Sequence, residues 1–473
     1  MTRHLPVTLA SMALCLSASA WAQWSVNPQE NTALANIPGA AQVQPLIAPT
    51  ADGHWWLSWF SLHSHSAPPH GYDVHLQRLD ANGKEQLAHQ GLEVAQLGVG
   101  WTEDYSLATD TQGHAVLSFQ DDSTAPPARA IAATKIDASG QPLWKALTAA
   151  SGHAPHVTLL SDGHAVIGWS MDTENNVRLR KLDPQGQPVW KTTTGEPLDF
   201  LLAEPDYSYT LADLQATGDG SVIVSFVRSR GFSGAKHLYA NKISASGQLL
   251  WGPDHVKVFD GGSLQQGNFP RFVLDGRGGA VFAWYSIAPQ IQVFAQHVLS
   301  NGSPAFAHNG VTVSTHPQQA RMEPSVSYQP TTGETTLFWT EVDSPERQFQ
   351  RGVYAQKLDA RGARQWGETG RPLLALGEKQ PSNVRSVAVA DGTLAFWVQT
   401  EAAGQDSIQA IKLDATGDAL CPQFAVSTRP SDKSRLAASV SPLGQTLLAW
   451  EEKGQNQGSD IYLQSVRANC QLG

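Results

Sequence analysis

A turn glycine followed by an apolar run recurs at Gly53, Gly113, Gly163, Gly220, Gly278, Gly333, Gly392 and Gly444, in steps of 60, 50, 57, 58, 55, 59 and 52 residues. A period of this length marks one supersecondary unit stacked many times, because a single unit cannot bury its own apolar faces. The repeats are numbered 1 to 8 by these glycines. An aromatic residue stands six positions after each glycine, at Trp59, Phe119, Trp169, Phe226, Trp284, Trp339 and Trp450, with Trp397 five after Gly392. Apolar runs such as Ala165 to Trp169 and Ala280 to Trp284 show no polar alternation, so both faces of these strands must be covered. A buried ring of this kind removes about 200 Å² from water, an upper-bound contribution of about 5 kcal/mol.

A second strand in each repeat ends on a basic or polar residue, an aliphatic and often Asp: Arg78-Leu79-Asp80, Lys135-Ile136-Asp137, Lys181-Leu182-Asp183, Lys357-Leu358-Asp359 and Lys412-Leu413-Asp414. Three residues on comes Gly83, Gly140, Gly186, Gly362 or Gly417, with Gly247 and Gly302 in two degenerate copies. This is hairpin chemistry: Asp bonds its own backbone two or three residues on, and Gly takes a positive φ. Four residues later come Trp144, Trp190, Trp251 and Trp366, or Leu87, Phe306 and Cys421 in their place. These are expected to wedge between neighbouring units.

Each repeat therefore holds strands a, b, c and d in about 56 residues. No run has a helical period, so almost no helix is expected. The predicted fold is all-β, an eight-bladed β-propeller of four-stranded antiparallel blades. The last copy ends soon after its strand c near Ile461 to Val466. Trp24 opens a strand-like segment before the first strand a near Val43 to Ala48, and residues near 24 to 36 are expected to complete the C-terminal blade and leave no unpaired edge.

Residues 1–22 combine a basic start, an apolar stretch from Leu9 to Leu16 and the ending Ala20-Trp21-Ala22, the pattern of a secretory leader cut after Ala22. Residues 23–473 are then one propeller domain, periplasmic or secreted, not membrane-spanning, and expected as a monomer. Without the leader, 31 basic residues face 42 acidic ones, a balance that repels phosphate backbones and argues against nucleic acid. Cys421 and Cys470 are the expected disulfide, worth about 4 kcal/mol by chain entropy. It would staple the closing blade to its neighbour.

The hairpin Leu182-Asp183-Pro184-Gln185-Gly186-Gln187-Pro188-Val189-Trp190, echoed from Tyr354 to Trp366, resembles repeats of uncharacterised secreted bacterial β-propeller proteins. The resemblance spans nearly the whole chain after the leader and implies the fold. Two better-known groups are similar in part. Asp-box propellers of the sialidase type place Asp and Gly on the same hairpin at a different spacing. Quinoprotein-type propellers carry Asp, Gly and Trp in that order with a longer turn, and the adjacent cysteines of many of them are absent here.

The a-b and c-d turns are short and alike, whereas the b-c and d-a connections are long and all different. Divergent loops on a rigid scaffold are where specificity is placed. The candidate ligand-binding residues on that face are Trp101, Asp104 and Tyr105, Asp121 and Asp122, Tyr207 and Tyr209, Arg228 and Arg230, Tyr285 and Glu341. Aromatics beside acids suit a carbohydrate or peptide. His63, His65, His70 and His75 read as a hydrated loop, so no metal is expected, and no cofactor. No nucleophile elbow, zinc-protease helix or phosphate loop is present, and catalytic residues stay unassigned. The expected function is a non-enzymatic binding or scaffold protein that recognises a carbohydrate, peptide or envelope protein with its loop face. The alternatives are a carbohydrate-active enzyme, hydrolase or lyase, using paired acids there, and a quinone-dependent oxidoreductase.

Overall fold

The hairpin that ends each repeat is built as its residues dictate. Asp80 Oδ1 accepts hydrogen bonds from the backbone N–H groups of Asn82 and Lys84, both at 2.9 Å, and Gly83 supplies a φ of 83°. Asp137, Asp183, Asp359 and Asp414 do the same for their own turns. The basic residue two positions before this Asp, or before Ser244 in repeat 4, reaches an acid in the a-b turn of its own repeat: Lys135 to Asp110 at 2.8 Å, Lys242 to Asp219 at 2.6 Å, Lys357 to Glu334 at 2.7 Å and Lys412 to Asp391 at 2.6 Å. One side of each repeat is thereby laced by short polar contacts.

The structure is a computed structural model that describes residues 24–62, 71–98, 104–122, 129–454 and 458–473. Among the described residues there is no helix, and so none long and apolar enough to cross a membrane. Repeat 1 forms the antiparallel sheet Ala41–Pro49, Trp55–Leu62, Tyr72–Leu79 and Leu92–Gln96, in chain order. Repeats 4, 6 and 7 are built alike. Repeats 2 and 3 share one long strand, Pro142–Leu159, which is outermost in the first and innermost in the second. In repeat 5 both Ser263–Leu264 and Phe272–Leu274 pair with Ala280–Ala288. Repeat 8 supplies Asp432–Val440, Thr446–Lys453 and Asp460–Val466. Its fourth strand is Thr32–Ala35, antiparallel to Asp460–Val466 with Thr32 opposite Leu463.

The b strands are buried on both faces, and all their recurrent aromatics are at most 1% exposed. Apolar cores form between sheets: Trp55, Leu57 and Trp59 of repeat 1 pack with Leu447, Ala449, Ile461 and Leu463 of repeat 8.

A second contact ties neighbouring sheets at their outer edges. The ring of Trp144 lies on Gly186 of the next repeat so closely that a Cβ there would stand 2.7 Å from Trp144 Cγ, and Trp144 Nε1 donates to Pro184 O at 3.0 Å. Trp190 over Gly247, Trp251 over Gly302, Phe306 over Gly362, Trp366 over Gly417 and Leu87 over Gly140 repeat the arrangement. Trp24 does it from the other end of the chain, against Gly83, with Nε1 donating to Ala81 O at 2.9 Å. Between repeats 7 and 8 both members are replaced. Cys421 takes the place of the aromatic, and Cys470, with φ 66°, takes the place of the glycine. The two are joined by a disulfide with Cα atoms 6.4 Å apart.

Candidate functional site: the central cavity

Inner strands carry a bulge near their start. The register shifts between Val43 and Leu46, Met322 and Ser325, Ser382 and Arg385, and Ser434 and Ala437. At each, one residue takes a left-handed backbone: Gln44 (φ 57°), Glu323 (53°), Asn383 (53°) and Arg435 (49°). A bulge twists a strand and re-aims its side chains. Here the bulged segments of repeats 1, 6, 7 and 8, together with Asp104 and Tyr105 of repeat 2 and residues 265–273 of repeat 5, line one cavity of about 870 Å³.

The position seven residues before the turn glycine sets the character of this space. It reads Leu46, Ser106, His156, Asp213, Arg271, Arg385 and Ala437, with Ser325 eight before Gly333. Five of these line the cavity: Leu46, Arg271, Ser325, Arg385 and Ala437. Arg271 makes no hydrogen bond or ion pair among the described residues. Arg385 donates from Nη1 to Val384 O at 2.9 Å, with no carboxylate in contact among the described residues. Burial first, then the like charge of Arg271, lowers the pKa of Arg385, and Glu323 opposes this only in part. Two guanidinium groups therefore share one confined space, a costly arrangement unless an anion joins them. Half-buried Phe269 and Tyr285 complete this side of the cavity.

Beside them His156 Nδ1 lies 3.5 Å from Asp213 Oδ1. Burial, helped by Arg271, pushes the imidazole down to about 4 against the pull of Asp213 and Asp104. Because its pKa is lower folded than unfolded, the unfolded chain takes up the proton first. Stability is expected to fall as pH drops from about 6.5 to about 4, then to level off. His156→Gln should flatten that part of the profile in chemical denaturation. An unchanged slope would mean that other groups set it.

The cavity brings together three of the residues singled out from sequence: Asp104, Tyr105 and Tyr285. Tyr105 is 4% exposed, donates to Gln44 O at 2.9 Å and packs on Phe60, and burial raises its pKa. Tyr285 donates to Gln265 Oε1. Tyr207, Tyr209, Arg228 and Arg230 form a separate cluster in repeat 4. There Arg228 sits 3.5 Å above the Tyr207 ring, 2.7 Å from Glu204 and 2.6 Å from Tyr239 Oη. Arg230 faces the same Tyr207 ring at 5.0 Å, and Tyr209 donates to Glu204 Oε2 at 3.1 Å.

Asp121 and Glu341, expected on an open rim, are instead buried at the ends of b strands. Asp121 is 2.8 Å from Lys145 Nζ. Glu341 accepts from Trp339 Nε1 and pairs with buried Arg321 at 3.1 Å, and burial raises its pKa to about 7. Both stand two residues after the recurrent aromatic, where the strand is still enclosed by the neighbouring sheet. Asp122 accepts from Gly98 N at 2.8 Å. Trp101, His63, His65 and His70 lie outside the described residues. His75, expected in a loop, is a buried residue of strand Tyr72–Leu79. Sequence reasoning missed Arg271, Arg385, His156 and Asp213, although their fixed offset from the turn glycine was there to be read.

No protein-family model matches the chain, and no curated protein matches it. Among solved structures it is similar to the Dos1 propeller, with 12% identity, a TM-score of 0.50, and coverage of 92% of this chain and 94% of that one. The chain folds as a β-propeller. A polysaccharide lyase described as an ulvan lyase is similar at 10% identity, a TM-score of 0.47, and 92% and 95% coverage. Puromycin hydrolase is similar at 12% identity and a TM-score of 0.45, and the propeller spans 61% of that longer chain while 91% of its own length is covered.

Proposed function

We propose that the chain is an exported, eight-bladed propeller, closed where Thr32–Ala35 completes the last blade, that binds a carboxylate-bearing saccharide in its central cavity. The observation that carries this reading is the pair Arg271 and Arg385, held in one confined space with no ion-pair contact to an acid among the described residues. Guanidinium groups bind carboxylates through paired hydrogen bonds, and the adjoining Phe269 and Tyr285 offer faces for a sugar ring. The pairing of the chain's two ends supports closure, as does Trp24 seated on Gly83. The disulfide fits an oxidising compartment. The variable loop face, with Tyr207, Arg228 and Arg230, would border the entry to the site.

Binding by calorimetry is the test, with oligogalacturonate as the acidic probe and a neutral glucan of the same length as control. The acidic probe alone should bind, and Arg271→Gln with Arg385→Gln should weaken it at least tenfold. Without ligand, Arg385→Gln should leave unfolding unchanged or shift it upward by about 1 to 2 °C, because the variant relieves repulsion between like charges. Equal affinity for the neutral glucan, or full affinity in the double variant, would overturn the proposal.

A further inference from the structure

The first repeat departs from the others on one face. Along strand Tyr72–Leu79, Asp73 and His75 are alternate residues on the same side, and His75 stands directly opposite Glu93 in the neighbouring strand. One donor atom from each of the three lies within 4.8 Å of the other two. No second group of three such donors occurs among the described residues.

The repeat itself defines what is ordinary at these places. Opposite the b-strand aromatic, where repeat 1 has His75, repeats 4, 6 and 8 have Tyr239, Tyr354 and Tyr462, and repeat 5 has Phe294. Where repeat 1 has Glu93, repeats 4, 5 and 6 have Lys257, Thr312 and Pro372. A buried histidine between two acids is thus not needed to build the blade.

We infer that Asp73, His75 and Glu93 form a binding site for a divalent transition cation, with Zn²⁺ as the best match. One imidazole and two carboxylates make a donor set that zinc accepts, leaving an open position for water. Bonds of the usual length put neighbouring donor atoms about 3.4 Å apart, which the cluster accommodates. The imidazole is held by contacts of its own. Its ring stacks on Trp59 with centroids 5.5 Å apart, and Nδ1 faces Gln90 O at 3.3 Å. A carbonyl accepting from Nδ1–H leaves the lone pair on Nε2, the arrangement by which outer contacts fix a metal-bound histidine. Gln90 itself has a φ of 73°, so its carbonyl is turned by a left-handed backbone.

The experiment is a titration of tag-free, EDTA-treated protein with ZnCl₂ by calorimetry, with metal content after desalting measured by mass spectrometry. About one zinc per chain is expected. Glu93→Gln changes an exposed carboxylate and Asp73→Asn keeps the side-chain shape, so both should fold, as circular dichroism would show. Each should weaken binding by about 10- to 100-fold or more. No binding by the wild-type chain would overturn the inference, as would wild-type affinity in both variants or an equal response to CaCl₂.

Discussion

Removing residues 24–36 should destabilise this protein by more than about 5 kcal/mol, far beyond the trimming of an ordinary terminus. The segment is bound by several independent contacts. Trp24 is 4% exposed and Leu34 2%. Asn31 Nδ2 donates to Val426 O at 3.1 Å and to Gln464 Oε1 at 2.9 Å, and its Oδ1 accepts from Ser427 Oγ at 2.6 Å. Gln464 Nε2 donates to Ser25 O at 2.6 Å, and Thr428 N to Pro28 O at 2.8 Å. Deletion would also bare the backbone of Asp460–Val466 as an unpaired edge, so self-association should accompany the loss. Urea unfolding and size-exclusion chromatography would measure the two effects. A truncated chain with the wild-type midpoint would refute the proposed closure. Trp24→Ala alone should cost about 3 to 5 kcal/mol.

The second large effect concerns the one outer junction that is covalent. Cys421 and Cys470 close a loop of 49 residues, and replacing both with Ser should cost about 4 kcal/mol. Reducing agent should mimic this in the wild type and leave the variant unaffected. A sharper outcome follows from the place of Cys470 in a glycine slot. Cys421→Trp combined with Cys470→Gly rebuilds the ring-on-glycine contact of the other junctions and relieves a left-handed backbone at a residue that resists it. This variant should be more stable than the double serine chain and insensitive to reduction. Stability equal to the serine variant would show that the outer contacts are not interchangeable.

Much of the architecture was legible because it is written in residues with narrow physical roles. Gly83 and its counterparts hold a positive φ, Asp80 and its counterparts cap a turn, and Trp59 and its counterparts fill the space between sheets. Trp24 was readable as the start of a strand-like segment, and Cys421 and Cys470 as the pair left once residues 1–22 are read as a leader. The cavity was harder. Its lining comes from inner strands whose bulges break simple alternation, so Arg271 and Arg385 look like isolated surface charges until the offset from the turn glycine is counted. Asp121 and Glu341 misled for the opposite reason. Loop-like residue types occupy strand ends that a neighbouring sheet covers.

The cysteine junction bears on a hazard special to chains of near-copies. Most hairpins here present a small residue to one neighbour and, four positions later, a large one to the other, so any two could dock in the wrong order with little penalty. Cys470 and Cys421 recognise only each other. They give the assembly a unique address, so that a misordered arrangement lacks its bond and remains open to correction.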